Sequence, residues 1–171
     1  MIDLSAKIRD VPDFPEPGIV FKDITPLLAD AEALRETVRA LAEWSGTRQP
    51  HLVLGAEARG FILGPAIACE LGVGFVPARR PGKLPPETIS ASYGLEYGTA
   101  VLEVHKDAIH SGDRVLIVDD VLATGGTARA TAHLVERLGG KVIGIACLIE
   151  LGFLKGRHAL AGYEFFSLIT F

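Results

Sequence analysis

Val115-Leu116-Ile117-Val118 runs directly into Asp119 and Asp120. Four consecutive apolar residues behind Arg114 read as a strand buried on both faces, because no alternate position is left for solvent. Such a strand needs cover above and below, and the rest of the chain supplies it. Strand patterns fall at 52–55, 74–78, 100–105, 114–118, 141–149 and 165–169, that at 100–105 alternating as a half-exposed strand. Between them lie helical patterns at 31–44, 61–71 and 126–138. Asp30 opens the first helix, Phe61, Ala68 and Leu71 share one face of the second, and Gly139-Gly140 stops the third. Strands separated by helices build βαβ units, so the expected class is α/β, a twisted mostly parallel sheet flanked by helices. In such sheets ligands sit beyond the carboxyl ends of the strands.

The length of 171 residues fits one compact domain. Hydrophobic residues make up 49% and charged residues 22%, which argues against bulk disorder. A net charge of −4 lacks the basic stripe of a nucleic-acid partner, yet a few placed cations can still hold a small anion. The apolar runs are strand-sized, so no membrane span is expected. The first ten residues mix acid and base with no apolar core, so a cytoplasmic location is expected. Cys69 and Cys147 lie in apolar segments and read as buried reduced thiols. The histidines and cysteines show no metal-ligand spacing. Two Pro- and Gly-rich stretches, 11–18 and 79–86, read as loops, the second continuing as a polar run to Gly98.

The chemistry concentrates at 115–127. After the strand and its two carboxylates come Val121, Leu122, Ala123, Thr124, Gly125, Gly126 and Thr127, and a helix begins. Free N–H groups at a helix start form an anion site, and glycines let a phosphate approach the backbone. Thr124 and Thr127 add hydroxyl donors. The carboxylates can accept from vicinal hydroxyls, so phosphate and diol together suggest ribose 5-phosphate. The segment is not a P-loop, since no GxxxxGK[ST] occurs, nor a dinucleotide fingerprint, since GxGxxG is absent. A plain strand–turn–helix is the bland alternative. It would leave two like charges adjacent without a use for them.

This segment resembles the phosphoribosyl pyrophosphate motif of type I phosphoribosyltransferases. The likeness extends through 14–28, 57–61, 79–85 and 93–98 and narrows to the adenine-using branch of that family. It implies the family's fold, with a small N-terminal hood at about 1–30 and a flexible flap at about 79–98 on a single domain spanning 1–171. It implies transfer of 5-phosphoribosyl to adenine, giving AMP and pyrophosphate.

By resemblance, Val20, Phe21 and Lys22 belong to the hood that holds the base. Phe21 can stack on a purine or be a core residue. Lys22 stands where some members carry arginine, a mild change if the backbone or a simple cation serves, a poor one if a planar fork is needed. Glu57, Ala58, Arg59 and Gly60 form a second anion loop for pyrophosphate, where the family often has a strained peptide bond. Arg79, Arg80 and Lys83 are either a solvated face or part of a flap that closes and excludes water. Arginine from this region is implied to complete the site of a second copy, hence a homodimer.

Leaving pyrophosphate needs charge neutralisation, which Mg2+ and Arg59, Arg79 and Lys83 can supply. The metal would ride mostly on substrate oxygens and water, with no dedicated protein ligands. Asp119 and Asp120 would steady the ribose. Glu96, beside Tyr97, is the candidate for proton transfer with adenine, against a reading as a solvent-facing loop glutamate. Two alternatives stay open. One is a non-catalytic regulator binding the same sugar, for which 171 residues leave no extra module. The other is a transferase for another base, such as xanthine or hypoxanthine.

Overall fold

The computed structural model describes residues 2–94 and 99–171. In chain order its elements are β1 (Arg9–Pro12), β2 (Val20–Asp23), α1 (Thr25–Ala29), α2 (Ala31–Gly46), β3 (Leu52–Ala56), α3 (Gly60–Leu71), β4 (Gly74–Ala78), β5 (Thr88–Gly94), β6 (Thr99–His105), β7 (Arg114–Leu122), α4 (Gly126–Arg137), β8 (Lys141–Glu150) and β9 (Phe165–Thr170). Two 3-10 turns, Gly152–Leu154 and Gly156–Leu160, connect the last two strands.

Five strands form one parallel sheet in the order β4-β3-β7-β8-β9. Alternation along β7 divides the core. Leu116 and Val118 face α2 and α3, packing with Leu41, Leu63, Ile67 and Leu148. Val115 and Ile117 face α4, packing with Leu134, Val135 and Ile145. Each fully buried leucine or isoleucine contributes about 1.5–3 kcal/mol relative to exposure. The expected α/β sheet with helices on both faces is therefore present.

The local signals act as their chemistry requires. The Asp30 carboxylate accepts from the N–H groups of Glu32 and Ala33, capping α2, and also meets Lys7 at 2.7 Å. Gly72, in the left-handed region at φ 68°, ends α3.

Several elements depart from the sequence reading. β7 does not stop at Val118. It runs through Asp119 and Asp120 to Leu122, held by β8 alone, because β3 pairs with it only as far as Val118. The polar run after Pro86 contains a strand, since Thr88–Gly94 pairs antiparallel with β6. β1 and β2 form a separate hairpin, tied at its base by Arg9 and Asp23. The Asp23 carboxyl is held at about 2, chiefly by the Thr25 N–H and then by Arg9. On α3 the inward face is Leu63, Gly64, Ile67 and Ala68, with Phe61 and Leu71 only partly covered. Cys147 is buried as expected, but Cys69 is exposed, because helical rotation turns it outward from its apolar neighbours.

Candidate active site

Between β3 and β7 the connections part. The chain leaves β3 towards β4 on one side and β7 towards β8 on the other. A crevice opens at the carboxyl ends of strands where such a reversal occurs. The loop 57–60 and the segment 119–127 meet there across a cleft of about 340 Å³, lined also by Arg80 and Tyr93.

The first loop lies close against the end of β7. A Cβ placed on Gly60 would stand 3.0 Å from the Val118 carbonyl oxygen and 3.3 Å from Asp119 Oδ1. The Glu57–Ala58 peptide is cis. The second loop turns at Gly125, whose φ of 87° is costly for any residue with a Cβ. Gly126 then starts α4, whose first N–H groups lack intrahelical acceptors and border the cleft.

The carboxylates lie between these loops. Asp120 is only 3% exposed, and its backbone N–H donates to Asp119 Oδ1 at 2.9 Å. Arg59 Nε stands 2.5 Å from Asp120 Oδ2, but its N–H is not aimed along that line. The contact is an ion pair more than an aligned hydrogen bond. Burial first, then the Asp120 charge, pushes the Asp119 carboxyl well above the usual range. Burial also raises Asp120, with Arg59 pulling the other way. The cleft floor thus holds two carboxyl groups beside one guanidinium, oxygen acceptors suited to hydroxyl donors.

A stability prediction follows. Between the ordinary carboxylate range and its raised value, folded Asp119 keeps a proton that the unfolded chain has lost. Its contribution is therefore favourable in acid and is lost as pH rises through that window. Asp119→Asn should raise the melting midpoint at pH 7 by about 2–4 °C, roughly 1 kcal/mol, and the gain should vanish towards pH 4. Thermal unfolding across that range checks it, and a midpoint lowered at pH 7 would contradict it.

The cleft brings together Glu57, Ala58, Arg59, Asp119, Asp120, Ala123, Thr124, Gly125, Gly126 and Thr127. Arg79 does not line it. Its side chain is 3.1 Å from Glu57 and its backbone bridges Glu103. Arg80 lines the cleft in its place, and its N–H donates to the same Glu57 carboxylate at 3.1 Å. That N–H, ahead of Arg79, holds Glu57 below the usual carboxylate range. Lys83 is exposed, and its carbonyl accepts from Arg79 at 3.3 Å. Phe21 stands beside the site, 5.2 Å from the Arg59 guanidinium and edge-on to Phe14. Val20 is 46% exposed. The Lys22 amine is occupied by Asp10 at 2.7 Å and by the Phe171 ring at 3.9 Å, so that side chain is turned to other work. Glu96 and Tyr97 lie outside the described residues. Tyr93 lines the cleft although it was not among the expected site residues; its signal was an aromatic in an alternating polar run.

Residues 25–161 match the family model described as phosphoribosyl transferase domain. This chain belongs to the phosphoribosyltransferase family. The adenine phosphoribosyltransferase of Desulfitobacterium hafniense is 58% identical to this phosphoribosyltransferase over 170 residues, covering 99% of this chain and 98% of its own. That of Thermotoga maritima is 55% identical, covering 99% and 98%. The crystal structure of the Thermoanaerobacter pseudethanolicus adenine phosphoribosyltransferase superposes with a TM-score of 0.96 at 56% identity, over 98% of both chains. The Saccharomyces cerevisiae enzyme, complexed with an imino-altritol bisphosphate and adenine, gives 0.91 at 40% identity over 96% of both.

Proposed function

We infer that this chain transfers the 5-phosphoribosyl group of phosphoribosyl pyrophosphate to adenine, giving AMP and pyrophosphate. The observation that carries the reading is the cleft itself, two anion loops facing across a buried acidic pair where the sheet reverses. The near-full-length likeness to adenine phosphoribosyltransferases supplies the base.

In this reading the 5-phosphate rests on 123–127 and the start of α4, and the ribose hydroxyls donate to Asp119 and Asp120. Pyrophosphate lies against 57–60, with Arg59 released from Asp120 to meet it and Arg80 beside it. The bond from ribose C1 to the pyrophosphate oxygen breaks, leaving its electron pair on pyrophosphate. The ring becomes oxocarbenium-like above the carboxylates, and an adenine ring nitrogen bonds to C1 as its proton leaves. Glu96 is proposed to take or share that proton. The β1–β2 hairpin acts as the hood, with Phe21 stacking on the base and backbone near Val20 and Lys22 meeting its edge. The occupied Lys22 amine favours a backbone role at that position. The segment 79–98 is proposed as a flap that excludes water.

Among the described residues no three metal-ligating side chains gather. The acidic pair at the cleft floor still fits a divalent cation that enters on the substrate's own oxygens. Mg2+ bound that way would neutralise charge on the departing pyrophosphate. A homodimer is proposed from the family resemblance, with arginine of the 79–80 region completing the site of a second copy. Cytoplasmic purine salvage suits a phosphorylated sugar substrate.

The test is incubation of the protein with phosphoribosyl pyrophosphate, magnesium and one labelled base at a time. AMP should form from adenine, with IMP from hypoxanthine slower by about a hundredfold or more, because a mispaired base edge leaves buried polar groups unmet. Equal rates with both bases would overturn the adenine reading.

A further inference from the structure

We propose that Glu150 and Arg157 form a clamp that positions the phosphate loop, acting through the segment 151–160. The proposal rests on the assignment of 123–127 to the 5-phosphate.

Glu150 ends β8 and is 6% exposed. Arg157 Nε and Nη2 donate to its two carboxylate oxygens, each at 2.6 Å, and Ser167 Oγ donates at 3.0 Å. The same guanidinium lies 4.7 Å from the Phe165 ring. Arg157 also holds the Glu150 carboxyl below the usual range, against the burial that would raise it. A planar fork paired this way fixes orientation as well as distance.

What the clamp fixes is the outer wall of the phosphate loop. Gly156, next to Arg157, lies so close to Ala123 that a Cβ there would overlap the Ala123 carbonyl and stand 3.0 Å from Leu122 Cγ. On the other side, a Cβ on Gly125 would be 2.6 Å from the Gly156 carbonyl oxygen and 2.8 Å from Ala159 Cβ. The Leu151 N–H donates to the Leu122 carbonyl at 2.9 Å, joining the two segments at their root. Among the described residues no hydrogen bond holds the backbone of Ala123 or Thr124. Packing against 156–159 therefore shapes that part of the loop, and the clamp holds 156–159 in place. A shift of about 1 Å at such a loop suffices to disturb oriented anion binding.

The experiment compares wild type with Glu150→Gln, Arg157→Lys and Arg157→Ala. Arg48→Gln serves as a control that breaks a surface pair, Arg48 with Glu164, remote from the cleft. Melting midpoints, KM for each substrate and calorimetric binding of ribose 5-phosphate are measured on all five. Glu150→Gln and Arg157→Ala should raise KM for phosphoribosyl pyrophosphate about tenfold, weaken ribose 5-phosphate similarly and move the adenine KM much less. Arg157→Lys keeps the charge but lacks the fork, so it should recover only part of the loss, and it serves if Glu150→Gln fails to fold. Arg48→Gln should alter the midpoint without altering KM. Ribose 5-phosphate binding within twofold of wild type in the folded clamp variants would overturn the proposal, as would an equal KM shift in Arg48→Gln. Absence of AMP formation by the wild type would instead overturn the catalytic reading, while ribose 5-phosphate binding still decides the clamp.

Discussion

Asp120→Asn should lower kcat about a hundredfold while KM for phosphoribosyl pyrophosphate stays near its wild-type value or falls. The asparagine keeps the volume and can still accept a hydrogen bond, so the bound ground state loses little. The negative charge is needed only as the ribose turns cationic, and an interaction made in the transition state alone appears in kcat. The ground state gains, because Arg59, now 2.5 Å from Asp120, would be free for the leaving pyrophosphate. The fold should survive. Asp120 is a buried acid whose ionised form is disfavoured by its surroundings, and the Arg59 side chain left behind is 42% exposed, although its Nε is buried. Steady-state kinetics with a melting curve decides it. A folded variant with kcat within threefold of wild type would remove Asp120 from the ribose site.

Gly125→Ala should cost still more, about a hundred- to a thousandfold in kcat/KM for phosphoribosyl pyrophosphate. Two penalties coincide at this position. The φ of 87° lies in the left-handed region, at about 1–2 kcal/mol for alanine. The new Cβ would also sit 2.6 Å from the Gly156 carbonyl oxygen, backbone that cannot rotate away. Either the phosphate loop or its wall must move. Gly72→Ala separates the two effects. Its φ of 68° carries the strain, but nothing lies within 4 Å of the added carbon, and it caps α3 far from the cleft. It should lower the melting midpoint and leave kcat/KM unchanged. If Gly125→Ala behaves like Gly72→Ala, the packing of loop on wall is not what organises the phosphate site.

The central sheet was legible because its strands are buried on both faces, and burial writes itself as unbroken apolar runs such as 115–118 and 142–149. What was hidden follows from the same rule. β5 is wet on alternate positions and carries serines, so its pairing with β6 leaves no apolar run to read. The β1–β2 hairpin contains Pro12 and no fully buried side chain. The last turns of β7 are strand only because β8 continues beside them, a tertiary fact that two aspartates disguise. In the cleft, loops 57–60 and 119–127 were readable because glycines, carboxylates and a helix start act locally. Which of Arg79 and Arg80 turns inward was not, since it depends on the bridge from Arg79 to Glu103 across distant sequence. The wall at 156–159 had no signal at all beyond one glycine, because its role exists only against Ala123 and Gly125.

The two anion loops leave strands that are direct hydrogen-bonded neighbours, Gly55 of β3 lying opposite Val118 of β7. Neighbouring strands stand about 4.8 Å apart whatever their side chains. With the proposed placement of the sugar, the sheet would act as a gauge, and the substrate would be measured against its rungs. Sequence drift in the loops can retune affinity for either end of the sugar. It cannot rescale the span between them without re-ordering the strands, so a donor whose two anionic ends sit one strand-width further apart should be refused however many cations the loops acquire.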